Sequence, residues 1–269
     1  MSRRVKNFGM YFILAVVSLI SIFPIFWMVV AATNKSVDVI GGKLTFGTNL
    51  VENYRTLIAQ QPLWSNFWNS CRYTVAVTVF ALIVSSLAGY GFEIYRSKGK
   101  ERVYAVILMT MMIPFVALMV PLFRMYSRLG LLNTVLGFML PSLATPLLIM
   151  MFRTNAKAFP PSLIEAARID GLSETGIFFR MYIPSMRSVF AAAGVVTFMN
   201  SWNNFLWAKV IMSDTSTQTM PMMISNLTSG YKTDYGMLML AVLITTIPTA
   251  IVFFALQKNF VEGITGSVK

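Results

Sequence analysis

The chain has no histidine and a single cysteine, Cys71. Without histidine it lacks the one side chain that ordinarily titrates near neutrality. His-based acid–base catalysis and most zinc sites are thereby excluded. A lone cysteine forms no intrachain disulfide. Charge is scarce as well. Asp, Glu, Lys and Arg supply 12% of the 269 residues, against about 25% in a soluble domain. This inventory leads us to expect neither a metal nor a cofactor.

What remains is apolar: 56% of residues are hydrophobic and the mean hydropathy is +0.66. The charges cluster and leave gaps of about 20 apolar residues, each long enough to cross a bilayer. Six such spans are predicted, at about 8–33, 73–92, 103–123, 129–152, 188–208 and 235–257. None holds Asp, Glu, Lys or Arg between its flanking charges. The expected fold is all-α: a polytopic membrane protein with six transmembrane helices, in one domain over 1–269. Arg3, Arg4 and Lys6 precede the first apolar run, as in a signal peptide. That run is longer than the 7–15 residues of a signal sequence, so it reads as a retained span. Pro24 is expected to bend it.

Six spans place both termini on one side. Fourteen of the 22 basic residues fall on that side, and eight on the other: Lys35, Lys43, Arg55, Arg72, Arg124, Arg128, Lys209 and Lys232. The excess assigns the termini to the cytoplasm. The net charge of +12 has the same origin, because basic residues flank spans. No basic run sits in a soluble domain, so nucleic acid is not an expected partner. Trp64, Phe67 and Trp68 suit an interfacial aromatic belt, and the 20 methionines suit adaptable packing between helices.

One cytoplasmic connection is unusually long and polar. It contains PPSLIEAARIDGLSETGIFFRMYIP, residues 160–184, where helix–helix connections commonly run about 2–8 residues. The two prolines stop what precedes them. Ser162 and Glu165 stand at capping-box spacing, and Ala166, Ala167 and Arg168 favour a helix. Gly171 suits a left-handed helix end. Ser173 is placed to cap a second short helix, and Pro184 marks its end or the entry to the fifth span. The segment therefore predicts a helix–turn–helix on the cytoplasmic face, between the fourth and fifth spans.

Glu165-Ala166-Ala167, Gly171 and Ile183-Pro184 together resemble the EAA loop of ABC importer permeases. AGYGFEIYRSKGK (88–100) is similar to the end of the second span in sugar-importer permeases. LGLLNT (129–134) with LPS (140–142), SWNNFLWAKV (201–210) and the tail QKNFVEGITGSVK (257–269) extend the likeness over nearly the whole chain. It points to the carbohydrate-uptake branch and its smaller maltose-type permease. Ser185-Met186 stands where that family more often has leucine-like residues. The resemblance implies a coupling helix, around Glu165, Ala166, Ala167, Arg168, Asp170 and Gly171, docked in a cleft on a cytoplasmic ATPase. Ala166 and Ala167 would be small for close packing, Glu165 and Asp170 would cap the helix or pair with basic groups, and Gly171 would make the turn. It further implies a second homologous permease, two ATPase subunits, an extracytoplasmic sugar-binding protein and the lipid bilayer as partners.

The chain is not expected to hydrolyse ATP. Gly171 to Gly176 has P-loop glycine spacing, but Ile177-Phe178 follows in place of Lys-Ser/Thr. A cation-coupled carrier usually keeps ionisable residues within its spans, and these have none. An importer of another solute and an ATP-independent carrier remain as alternatives. In the fifth span, Asn200, Trp202, Asn203 and Asn204 are candidates for the substrate pathway. Asparagine can bind sugar hydroxyls, and Trp202 or Trp207 could stack on a sugar face. Helix–helix hydrogen bonding is the competing explanation. Residues 220–236 are a candidate surface for the binding protein.

Overall fold

The structure, a computed structural model, describes residues 3–230 and 233–265. Lys232 and the tail residues 266–269, used above for orientation and resemblance, lie outside them. Among the described residues there is no strand. The α-helices in chain order are α1 Arg3–Ala32, α2 Ser36–Ile40, α3 Leu50–Gln60, α4 Leu63–Ile94, α5 Lys98–Met109, α6 Phe115–Arg128, α7 Val135–Met139 and α8 Pro146–Ala156. There follow α9 Pro161–Ile169, α10 Glu174–Ile177, α11 Ile183–Ser185, α12 Arg187–Trp202, α13 Leu206–Ile211, α14 Met220–Thr228 and α15 Tyr235–Thr265.

Three helical stretches are long and apolar enough to cross a bilayer unaided: Gly9–Ala32, Leu63–Ile94 and Tyr235–Gln257. They match the first, second and sixth predicted spans, and α1 and α15 continue through Pro24 and Pro248. The third, fourth and fifth predicted spans are not single helices, and proline chemistry explains two of the breaks. Between α5 and α6 the chain bends by 102°. Ile113 precedes Pro114 and is held extended, with ψ 115°, because the proline ring disfavours helical geometry in the residue before it. Thr145 precedes Pro146 with ψ 135°, and the chain there bends by 52°. The fourth helical stretch also starts later than predicted. Gly130 (φ 66°) and Asn133 (φ 59°) turn the chain in left-handed geometry before α7 begins. The predicted fifth span breaks after Trp202. Asn204 Oδ1 accepts from the Trp207 amide at 3.2 Å and restarts the chain as α13.

The chain forms two compact units. The first comprises Met1–Trp64 and Met222–Ile247. Here α1 exposes Phe12, Leu14, Ile20 and Phe23 but buries Val30, Ala31 and Ala32 at its end. The buried end needs partners for its last carbonyls. Asn53 supplies them, its amide donating to Ala32 O at 2.8 Å and Asn34 O at 3.0 Å.

The second unit comprises Ser65–Pro221 and Pro248–Lys269. Its aromatic core joins α4, α8 and the 160–184 segment. Tyr90 lies 4.7 Å from Tyr182, which stacks on Phe178 at 5.4 Å. Phe152, Phe159, Ile164, Ala167 and Ile177 complete the cluster. Helices α4 and α8 approach so closely at Gly89 that an added Cβ would stand 2.6 Å from Phe152 Cβ and 2.7 Å from the Arg153 nitrogen. Glycine in the AGYG sequence is therefore a packing requirement.

Candidate functional site

The 160–184 segment forms a helix, a turn and a second helix, and its details depart from the sequence reading in three places. The first is the cap. Pro160 occupies the N-cap position with no side-chain cap bond, and Pro161 and Ser162 already lie inside α9. Ser162 and Glu165 therefore do not form a capping box; proline at the first helical position starts the helix instead. The second is Pro184, which lies inside α11 and does not end the segment. The turn before it, Phe178–Tyr182, is a π-helix. A wider turn accommodates a proline that lacks an amide and crowds the preceding carbonyls. The break falls at Met186 (φ −101°, ψ 20°), where the chain bends by 81° into α12. The third concerns the two alanines. Ala167 is buried in this chain's own core with Ile164, whereas Ala166 is exposed. The small size of Ala167 thus lets α9 settle on its own base.

Other local expectations are met. Gly171 takes φ +78° just past the end of α9. Ser173 caps α10, accepting from the Gly176 amide.

The outer face of α9 carries Leu163 (43% exposed), Glu165, Ala166, Ile169 (85% exposed) and Asp170. Ala166 and Ile169, three residues apart, share a side of the helix away from Ile164, and Leu163 flanks the buried face one turn before Ala167. Among the described residues, Glu165 and Asp170 make no ion pair. The sequence reading had missed Leu163 and Ile169. Their signal was an apolar residue two positions beyond each end of the EAA run.

Two charge clusters fix this element and the helix ends beneath it. Arg168 Nε donates to Glu174 at 2.7 Å, and the Tyr95 hydroxyl donates to the other Glu174 oxygen. The Arg168 bond first, and the Tyr95 bond second, hold the Glu174 carboxyl below the usual glutamate range. The second cluster centres on Arg153, which is buried. It donates to Glu93 at 3.4 Å and to Glu101 at 2.5 Å, and its guanidinium lies 4.0 Å from the centre of the Tyr104 ring. Arg96 closes on Glu93 from outside. The Arg153 hydrogen bond is the main cause holding Glu101 below its ordinary range. From sequence these charges had been read only as flanks of the spans.

The pathway candidates separate. Trp202 is 1% and Trp207 0% exposed. Trp202 stacks on Phe198 and meets Phe67 edge-on; Trp207 meets Phe115 and Tyr126 edge-on and donates to the Gly137 and Phe138 carbonyls. Neither indole has a ring face available to a sugar. Asn203 is exposed and donates back to Met199 O at 2.9 Å. Asn200 and Asn204 do line a common cavity of about 100 Å³, with Ser142, Thr145, Thr197 and Ser201. Trp64 and Trp68 are exposed, while Phe67 packs against Trp202. In the 220–236 surface, α14 buries Met220, Met222 and Met223.

Long and broken apolar helices, with no strand among the described residues and a short polar helix set on the ends of α4 and α8, are the architecture of a membrane permease. Residues 81–266 match the family described as the binding-protein-dependent transport system inner membrane component, and the chain belongs to that family. It is similar to the lactose transport system permease protein LacG of Rhizobium radiobacter, with 47% identity over 99% of this chain and 98% of that protein. It is also similar to the arabinooligosaccharides transport system permease protein AraQ of Halalkalibacterium halodurans, with 33% identity over 95% of this chain and 94% of that one. Its fold matches a chain of a bacterial ABC transporter involved in the import of the acidic polysaccharide alginate. That match has a TM-score of 0.81 at 22% identity, covering 97% of this chain and 99% of that chain.

Proposed function

We propose that residues 1–269 act as one transmembrane domain, the permease subunit of an ATP-driven importer of sugars or oligosaccharides. The observation that carries the coupling assignment is the split of α9. Ile164 and Ala167 anchor it in the core, while Leu163, Glu165, Ala166, Ile169 and Asp170 face away from that core. Exposed apolar residues edged by unpaired acids suit a protein partner. The partner is a cytoplasmic ATPase, two copies of which serve this chain and a second homologous permease. An extracytoplasmic sugar-binding protein delivers the solute. The likeness to a lactose permease over nearly the full length of both chains supports the sugar assignment.

In this mechanism nucleotide closes the ATPase pair and displaces α9. The aromatic core around Tyr90, Phe178 and Tyr182 passes that displacement to α4 and α8 as a rigid step, because packed cores are not continuously deformable. ATP hydrolysis belongs to the partner chains. Both termini lie in the cytoplasm of a cell whose plasma or inner membrane holds the complex. The test is purification of the tagged chain from its native membrane in mild detergent, with companions identified by mass. A co-purifying ATPase and second permease are expected. A chain that emerges alone, while still transporting sugar, would sink the assignment.

A further inference from the structure

The cavity beside the break between Ser142 and α8 holds more polar capacity than the fold uses. Six of its lining side chains are polar, and three are committed internally. Thr197 donates to the Ala193 carbonyl at 2.7 Å, Ser201 donates to Thr74 at 3.5 Å, and Asn204 Oδ1 accepts from the Trp207 amide. The hydroxyls of Ser142 and Thr145 and the amide of Asn200 have no partner among the described residues.

This is unusual in two ways. Ser and Thr within apolar helices commonly donate to a carbonyl one turn back, as Thr197, Thr245 and Thr246 do here. Threonine at an N-cap normally accepts from the helix amides, yet Thr145 occupies the N-cap of α8 with no such bond. Polar groups and irregular backbone persist at membrane depth only where protein or a solvated cavity receives them. Broken helices meeting at such a cavity are a common way to present hydrogen-bonding groups to a transported solute.

We infer that Ser142, Thr145, Asn200 and the amide of Asn204 form a half-site for the hydroxyl groups of a neutral, polyhydroxylated solute. The inference rests on the sugar-importer reading above. No charged side chain lines the cavity, so an anionic solute would lose its hydration there without an opposite charge. The volume of about 100 Å³ holds roughly three waters, less than a hexose ring needs. The cavity therefore takes one edge of the solute, one or two hydroxyls with their donors and acceptors matched, and leaves the rest outside. Asn200, exposed at the end of its helix turn, stands where that edge would enter.

The experiment uses the complete importer in proteoliposomes, with its binding protein and radiolabelled lactose. Lactose moved per ATP hydrolysed is measured for wild type, Thr145→Val, Thr145→Ser and Asn200→Ala. Loss of one hydrogen bond to the solute is expected to lower the ratio about tenfold in Thr145→Val and Asn200→Ala. Thr145→Ser, which keeps the hydroxyl, is expected to hold the wild-type ratio. Wild-type ratios in both Thr145→Val and Asn200→Ala would overturn the half-site. So would equal losses in Thr145→Val and Thr145→Ser, since packing alone would explain them. A wild-type complex that moves glycerol 3-phosphate and no neutral sugar overturns the sugar reading itself, and it is recognised before any substitution is made.

Discussion

Arg168 and Glu174 close on each other at 2.7 Å across the turn that Gly171 makes. Arg168 lies in the last turn of α9 and Glu174 begins α10, so the pair ties the two short helices together from the solvent side. Tyr95, just beyond the end of α4, reaches the other Glu174 oxygen. The exposed helix is thus held in two ways: from beneath by Ile164 and Ala167 in the core, and from the side by a charge-assisted hydrogen bond to the α4–α5 connection. Such an element can move as a unit when a partner pushes on it.

Gly171 sets the angle between the two helices. Its φ of +78° favours glycine, but no atom lies within 4 Å of where a Cβ would stand. The penalty for a side chain is therefore conformational, about 1–2 kcal/mol, and is worst for a β-branched residue. Gly171→Val is expected to insert into the membrane normally and to lose the ATPase on co-purification. Gly171→Asn should keep it, since asparagine visits this conformation readily. Retention of the ATPase by Gly171→Val would show that the turn does not position α9.

The Glu174 pair makes a pH prediction of definite sign. The folded carboxyl titrates below its unfolded value. The pair therefore contributes fully above the ordinary glutamate range and is lost as pH falls through the lowered value. ATPase retention on the detergent-solubilised complex should be flat from about pH 8 to pH 5 and should weaken only below about pH 4. Because the pair is half exposed, it contributes little to overall folding, so Glu174→Gln should leave thermal stability near wild type. The same variant should weaken ATPase retention at neutral pH and remove the acid limb. An unchanged profile would detach Glu174 from docking.

Much of this element was legible in the sequence, because its signals are local. Gly171 past a run of helix formers and Ser173 before Glu174 set their own backbone, and the structure bears both out. Where the reading failed, a neighbour decided. Ser162 was no cap because Pro160-Pro161 had already begun the helix. Ala167 turned inward because Tyr90, Phe152 and Phe178 create a core beneath it. The three unbroken apolar helices were legible from length and hydropathy. The three bent ones were not, since a hydropathy window is blind to the breaks at Pro114, Pro146 and Met186. The cavity at Ser142 and Thr145 was hidden for the same reason: its residues meet only after the chain bends.

Arg153 carries the largest electrostatic stake. Its side chain is 10% exposed and that of Glu93 is 7% exposed. Removing one partner of a buried pair typically costs about 3–5 kcal/mol, and less here because Arg96 still closes on Glu93. Arg153→Ala should lower the unfolding midpoint of the purified permease accordingly. Arg153→Lys should recover part of the loss, since a lysine keeps the charge but neither forks across Glu93 and Glu101 nor stacks on Tyr104 as a guanidinium does. Double replacement with Glu93→Gln should be milder than Arg153→Ala alone. Equal midpoints across the series would mean that Arg96, rather than Arg153, satisfies Glu93.

Trp207 separates packing from substrate contact most sharply. Its ring is fully buried between Phe115 and Tyr126, and its N–H is shared by two carbonyls from α7 at 3.3 and 3.2 Å. Trp207→Ala removes the ring from a filled site and should cost about 3–5 kcal/mol of stability. Trp207→Phe keeps much of the ring volume but leaves both carbonyls without that donor, and should cost about 1–3 kcal/mol. Neither change alters the wall of the cavity at Asn200, so the relative rates for different sugars should remain those of wild type in whatever fraction stays folded. Substitutions at Thr145 and Asn200 should do the reverse, shifting sugar handling with little change in midpoint. A Trp207→Phe variant that changes sugar preference at full stability would mean that the indole turns toward the pathway during the cycle, and the burial seen here would then describe only one of its positions.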